Sequence, residues 1–344
     1  MPFTTLKRTF TCLAAALYML LCTPGGALAQ TVLYEVDDLG FFDNRETHSI
    51  YQRSQTLFGN RLSAAFGVGG TDGTLMAGGY IVQEFGQKKL ADSGYTFYYH
   101  YHGSRFSGAF GAFPRRMLQR DLPDVFVDDS LRYYVPNIQG ALIQYIGMRG
   151  SAELYCNWRN RQSYTEREIF EIVSDGEWRL YDDAFTIGYN AELTHFSVRR
   201  GTTSDKVYDK IMLNPTIGLQ VALGWAVLDS LHLTAGALVS FNRDRTDKVW
   251  KTPVGFLSDV HLYKGRMVVR NRLYAGRVQY SDYTLYGRAL HQGDAWYCSP
   301  FYNRLDASFY LLRRETVECA AMASLHFTKG AMDSSQSLLL RTRF

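Results

Sequence analysis

Charged side chains at alternate positions are the first feature of this sequence with chemical content. Arg270 and Arg272, Arg341 and Arg343, and Arg304 with Asp306 are each spaced two apart. In an extended chain that spacing puts both side chains on one face. Glu153 and Asp259 stand in similar segments and supply counter-charges. Around an enclosed channel such a wall would select among ions, and arginine linings favour anions. It would equally serve to hold the wall rigid by pairing. A second block follows Pro114, where Arg115, Arg116, Arg120 and Arg132 interleave with Asp121, Asp124, Asp128 and Asp129. These charges suit pairing within the segment or against an arginine-bearing wall. Pro114, Pro123 and Pro136 would stiffen it, which lowers the entropy cost of holding one conformation.

Other sets offer less. Asp37-Asp38, Asp128-Asp129 and Asp182-Asp183 are adjacent carboxylates. Neighbours in a strand point to opposite faces, and in loops such pairs are solvated turn formers. His100 and His102 share a parity and read as polar lining rather than as a metal site. Beyond residue 29 three cysteines remain, Cys156, Cys298 and Cys319. Their odd number and the lack of a C-x-x-C pair point to neither a disulfide framework nor zinc. G-x-S-x-G, H-E-x-x-H, a P-loop and a dinucleotide fingerprint are all missing. On motifs alone the chain reads as no enzyme, with no catalytic residue, cofactor or metal.

The elements that must position these charges are strands. Along Leu231–Phe241, one face carries Leu231, Leu233, Ala235, Ala237, Val239 and Phe241, against His232, Thr234, Gly236, Leu238 and Ser240. Val317–Phe327 repeats the scheme, and Leu305, Ala307, Phe309 and Leu311 alternate with Arg304, Asp306, Ser308 and Tyr310. Ile211–Leu228 carries no charge, yet period two sorts Ile217, Leu219, Val221, Leu223 and Trp225 from Thr216, Gly218, Gln220, Ala222 and Gly224. A membrane helix would leave Asn214, Pro215 and Gln220 unexplained. Segments of about ten alternating residues between Gly/Asp/Ser turns are the signature of a transmembrane antiparallel up-and-down β-barrel. On this reading Ala237 faces lipid and should not accept arginine, whereas Ser240 faces the interior and should.

Two ends of the chain bear on location. Lys7 and Arg8, an apolar run from Leu13 to Leu21, and Ala27-Leu28-Ala29 have the order of a secretory signal, with cleavage expected after Ala29. Losing two basic residues and no acid lowers the net charge from +4 to +2. That balance, without a basic tract, excludes nucleic acid as a partner. Residues 30–344 show no linker and read as one domain. At the other end, Leu338, Leu340, Thr342 and Phe344 alternate with Leu339, Arg341 and Arg343, and the chain stops at Phe344. This ending resembles that of Gram-negative outer-membrane barrel proteins, whose final strand commonly closes on phenylalanine. The stretch Gly40–Glu46 with Gln55–Gly59 resembles porin-like barrels. The resemblance implies an outer-membrane location, recognition by the barrel-assembly machinery, contact with outer-membrane lipid and a possible homo-oligomer.

Short connections fall at 69–73, 102–105, 148–151, 181–184, 228–230, 263–265 and 314–316. Longer ones lie near 43–55, 86–94, 114–137, 160–165, 199–210, 243–252, 279–300 and 329–333. Eight loops and seven turns predict sixteen strands, wide enough for a water-filled channel. Asp37 and Asp38 interrupt the first strand, and without it fourteen is the alternative. The 50 Phe, Tyr and Trp residues suit interfacial girdles; a soluble sandwich would bury them instead. The expected function is passive diffusion of small hydrophilic solutes. The other classes are a barrel hydrolase acting on lipid or peptide, and a structural barrel of a surface or secretion assembly. In general porins the loop that occupies the position of 114–137 folds into the channel, and its likeness in order and length implies the same here.

Overall fold

The computed structural model describes residues 31–180 and 184–344. The expected leader and its cleavage after Ala29 lie outside the described residues, as does most of the turn expected at 181–184. The chain forms β1 (Thr31–Glu46), β2 (Gln55–Gly69), β3 (Gly73–Glu84), β4 (Asp92–His102), β5 (Phe106–Pro114), β6 (Asn137–Ile146), β7 (Gly150–Asn160) and β8 (Ile169–Arg179). It continues as β9 (Phe185–Phe196), β10 (Tyr208–Ala222), β11 (Ser230–Asp244), β12 (Val254–Lys264), β13 (Met267–Gly276), β14 (Phe301–Arg313), β15 (Val317–Thr328) and β16 (Ala331–Arg343). Every strand pairs antiparallel with its chain neighbours, and β1 closes the ring on β16 from Asp37↔Arg343 to Glu46↔Ser334. Closure removes the edges that a sandwich would leave, so the soluble alternative falls away. Sixteen strands stand, not fourteen.

Outward positions carry the apolar residues. Phe66, Phe97, Phe110, Ile217 and Leu338 are all exposed on the outer wall. No helix among the described residues is long and apolar enough to cross a membrane; the strands do the crossing. The longest connections gather at one end of the barrel, and in such barrels the long loops face outside; the long connection expected at 329–333 is instead a two-residue turn, Lys329-Gly330, and the short one expected at 228–230 spans 223–229.

Two local expectations need correction. The first strand is not interrupted at Asp37, because that carboxylate points inward and accepts hydrogen bonds from Arg341 Nε and Nη2, both at 2.7 Å, and from Arg61 Nη2 at 3.2 Å. Asp38 points out and accepts one from Asn60 at 2.8 Å. Strand β10 ends at Ala222, so Leu223 and Trp225 belong to the turn rather than to a lipid-facing run. Asp229 accepts the Leu223 N–H and Gly224 adopts φ 59°, which bends the chain back before Ser230. Such a positive φ suits glycine.

The lumen is filled rather than open. Residues 115–136, between β5 and β6, fold inward and carry a short helix, α1 (Leu131–Tyr134). Residues 277–300, between β13 and β14, fold inward as well and carry α2 (Tyr283–Leu290), kinked at Gly287. Val125 and Phe126 of the first loop pack with Tyr280, Trp296 and Tyr297 of the second and with Met212, Leu238, Leu257, Tyr274 and Tyr302 of the wall. Leu238 thus sits on the polar face of its strand because a protein plug, not water, covers it. This also corrects the expectation for Ser240, which is fully buried and donates to Gln279 of the second loop at 2.5 Å.

Candidate functional site

The charged residues singled out by spacing converge on the plug. Asp124 of the first inward loop pairs with Arg272, which also donates to Asp259 from Nε at 3.1 Å. Arg270 donates to the same Asp259 at 2.7 Å. Arg304 sits among four carboxylates, Asp129 at 2.7 Å, Asp306 at 2.8 Å, Asp124 at 3.2 Å and Asp294 at 3.5 Å. Arg272 and Arg304 therefore face the lumen but are covered by the loops, which is a different setting from the wall of an open channel. Burial opposes ionisation of Asp124, yet Arg272 and Arg304 outweigh it and hold the carboxyl below its ordinary value.

The remaining loop charges also reach outward more than inward. Arg120 donates to Asp175 and to Ser151, each at 2.8 Å. Arg116 pairs with Glu35, and Arg115 donates to the Val135 carbonyl at 3.0 Å. Asp128 accepts from Ser130 and Leu131 N–H groups and pairs with Arg288 of the second loop. Arg132 and Asp121, 3.3 Å apart, form an ion pair within the loop, and the Arg115–Val135 and Asp128 hydrogen bonds also stay inside it. Glu153 takes no arginine; it accepts the Gln119 backbone N–H at 2.9 Å and the Gln144 amide at 2.8 Å. Arg341 holds Asp37, and Arg343 stands half-exposed at the short-turn mouth, 3.8 Å from it. His100 and His102 do share a face, with rings 4.0 Å apart. No metal-binding group of three or more ligands occurs among the described residues.

The most chemically capable arrangement was not visible in the sequence. It centres on His326, on the lumen face of β15 near the long-loop end. Its Nδ1 lies 2.8 Å from the Tyr302 hydroxyl, which in turn points to Asp294 at 3.4 Å. The Trp296 indole stacks on the imidazole at 3.9 Å between centroids, and its N–H donates to Asp333 at 2.6 Å. Asp333 is the cross-strand partner of His326. It also accepts the backbone N–H groups of His48 and Ser49 and the Ser49 hydroxyl, tying down the loop between β1 and β2. Imidazole position and ring plane are thereby set from three sides. A crevice lined by His326, Trp296, Asp294 and the ion pairs Arg45–Asp43 and Arg304–Asp129 opens beside it, about 20 Å³ in volume. That is room for one water molecule. Burial, reinforced by Asp124, pushes the Asp294 carboxyl well above the usual carboxylate range, with Arg304 pulling the other way.

Separately, a polar cavity of about 530 Å³ lies under the first inward loop and runs toward the short-turn end. Arg61, Arg115, Arg116, Arg120, Arg132, Arg341 and Arg343 line it together with Glu35, Asp37, Asp121 and Glu318.

The architecture is shared with solved outer-membrane proteins. OpdK of Pseudomonas aeruginosa superposes at a TM-score of 0.53 and 10% identity, over 91% of this chain and 98% of its own. OpdL of the same organism does so at 0.54 and 12%, with the same coverage. A loop-deletion mutant of OmpT, an outer membrane protein of Vibrio cholerae, covers 92% of this chain and 100% of its own at 0.55 and 8% identity. At these identities the likeness concerns the fold alone. A comparison with curated proteins found no match. A family model described as lipid A 3′-O-deacylase-type matches residues 26–343. That match overturns the reading of the chain as no enzyme. The contiguous signatures sought in the sequence were those of other hydrolases and cofactor enzymes, and none of these occurs in the chain. The chain belongs to the lipid A 3′-O-deacylase-type family and is built as a closed sixteen-stranded barrel of the outer-membrane kind.

Proposed function

We propose that this barrel hydrolyses the ester joining an acyl chain to the 3′-oxygen of lipid A, the reaction in its family's description. The family match along the length of the chain carries the reading. Position is compatible with it: the His326 crevice lies toward the long-loop end of the barrel, the end that faces outside in such barrels. In this reading Nε2 of His326 takes a proton from the crevice water as its oxygen attacks the acyl carbonyl. Arg45 and Arg304 line the crevice already paired with Asp43 and Asp129, so they act on the carbonyl oxygen only as screened charges. The bond to the 3′-oxygen then breaks, the proton passes to that oxygen, and a free fatty acid leaves. Tyr302 and Asp294 act as positioning residues that keep the Nδ1 side of the ring engaged.

The test is incubation of the refolded barrel with lipid A in mixed micelles, read by mass spectrometry. Loss of one ester-linked acyl chain is expected, and His326→Gln should lower the rate by about 10²–10⁴-fold. An inactive wild-type protein with intact heat-modifiability would sink the proposal.

A second reading, passive passage of small hydrophilic solutes, draws support from the 530 Å³ cavity and the channel-type barrel. Against it stands the plug, which touches the wall from β1 through Tyr133 and Phe41 to β9 through Tyr286 and Phe196. Discrete conductance steps in planar bilayers would favour this second reading.

A further inference from the structure

The cavity under the first inward loop has no part in the reaction just described, and it is chemically unusual. Buried polar atoms almost always find partners, yet four of its lining residues hold buried atoms with none: Arg61 Nε, Ser63 Oγ, Arg115 Nη2, and both ends of the Gln119 amide. Arg61 and Ser63 belong to β2, while Arg115 and Gln119 belong to the inward loop. The orphaned groups therefore come from both the wall and the plug. Three of them are nitrogen donors, and the hydroxyl can donate too. Seven arginines line the cavity against four carboxylates, and Asp175 behind the lining holds Arg120, so two positive charges remain in excess.

The unpartnered atoms have almost no surface open to the cavity, so what a ligand meets there is the excess of arginine; a small anion rich in acceptor oxygens suits it, and arginine matches phosphate geometry through paired N–H donors. We propose that the cavity binds a phosphate-class oxyanion reached from the short-turn end, bridging β2 and the inward loop. Its volume of about 530 Å³ exceeds what a bare phosphate needs, leaving room for the group that bears it. Two sources share this chemistry, a soluble phosphate ester and a phosphorylated lipid headgroup.

Isothermal titration of the full barrel in detergent, with inorganic phosphate, glycerol phosphate and a dihexanoyl phosphatidic acid, tests this directly. Saturable binding of phosphate is expected, weakened about tenfold or more in an Arg115→Gln, Arg116→Gln variant, since each hydrogen bond to a charged group contributes about 1.5–3 kcal/mol. Glycerol phosphate binding as tightly as the lipid marks a soluble source; tighter lipid binding marks a headgroup. Absence of phosphate binding to wild type, or equal binding to the variant while it keeps its heat-modifiable fold, overturns the proposal. Because the readout is binding alone, failure here leaves the deacylase reading untouched, and an inactive barrel that binds phosphate leaves this one standing.

Discussion

Arg304 on β14 and Asp129 on the first inward loop lie 2.7 Å apart, 175 residues distant in the chain. Their pair, with Asp124, Asp294 and Asp306 around the same guanidinium, is the electrostatic bolt between wall and plug. Removing one partner of a buried ion pair leaves uncompensated charge and is destabilising by about 3–5 kcal/mol. Arg304→Met should lower the unfolding midpoint accordingly and expose residues 115–136 to protease. An unchanged midpoint and an uncut loop would show that the pairing is incidental.

Asp294 provides a pH test of the proposed site. An ionised Asp294 can only accept, so it fixes the Tyr302 hydroxyl as its donor and leaves that oxygen to accept from Nδ1–H, with Nε2 as a base; a protonated Asp294 can donate to Tyr302 instead and loosen this order. Since burial raises the Asp294 carboxyl above its ordinary range, the protonated form persists at higher pH than for a free aspartate. Activity should then be low in acid and rise as pH climbs through that displaced value. Tyr302→Phe should flatten this limb and lower the plateau with KM little changed. A limb identical in wild type and Tyr302→Phe removes Asp294 and Tyr302 as positioning residues for the imidazole.

Two arginine substitutions on β11 separate lipid from plug. Ala237 is exposed on the outer wall, where an arginine near the bilayer midplane costs about 2–4 kcal/mol. Ser240 faces the plug with no exposed surface, so Ser240→Arg should also destabilise, by displacing Gln279 and the second inward loop. Proteolysis tells the two apart. Cleavage within 277–300 is expected for Ser240→Arg alone, and its absence would mean the loop does not depend on that contact.

Deleting residues 118–130 takes away Asp124, Asp129, Val125 and Phe126, which tie the plug to β13 and β14. The barrel hydrogen bonds do not involve these residues, so a heat-modifiable species should persist at reduced stability. In planar bilayers the deletion should conduct in larger steps than the intact chain. Equal conductance in a folded deletion would show that 118–130 does not obstruct the lumen.

What the sequence determined by itself was the barrel. Alternation is local, because a residue's face follows from its parity, and turns announce themselves through glycine and aspartate. Sixteen strands, the pairing of chain neighbours and the inward parity of Arg270, Arg272, Arg304 and Asp306 were legible for that reason. The tertiary structure alone decided what fills the barrel. Asp37 looked like a strand breaker until Arg61 and Arg341, far along the chain, met it inside. Leu238 looked misplaced among polar neighbours until the second inward loop covered it. His326, Tyr302, Asp294 and Asp333 come together only because β14, β15, β16 and that loop meet at one end of the lumen. No periodicity encodes such a meeting, since it depends on loops choosing an interior of the right charge over solvent.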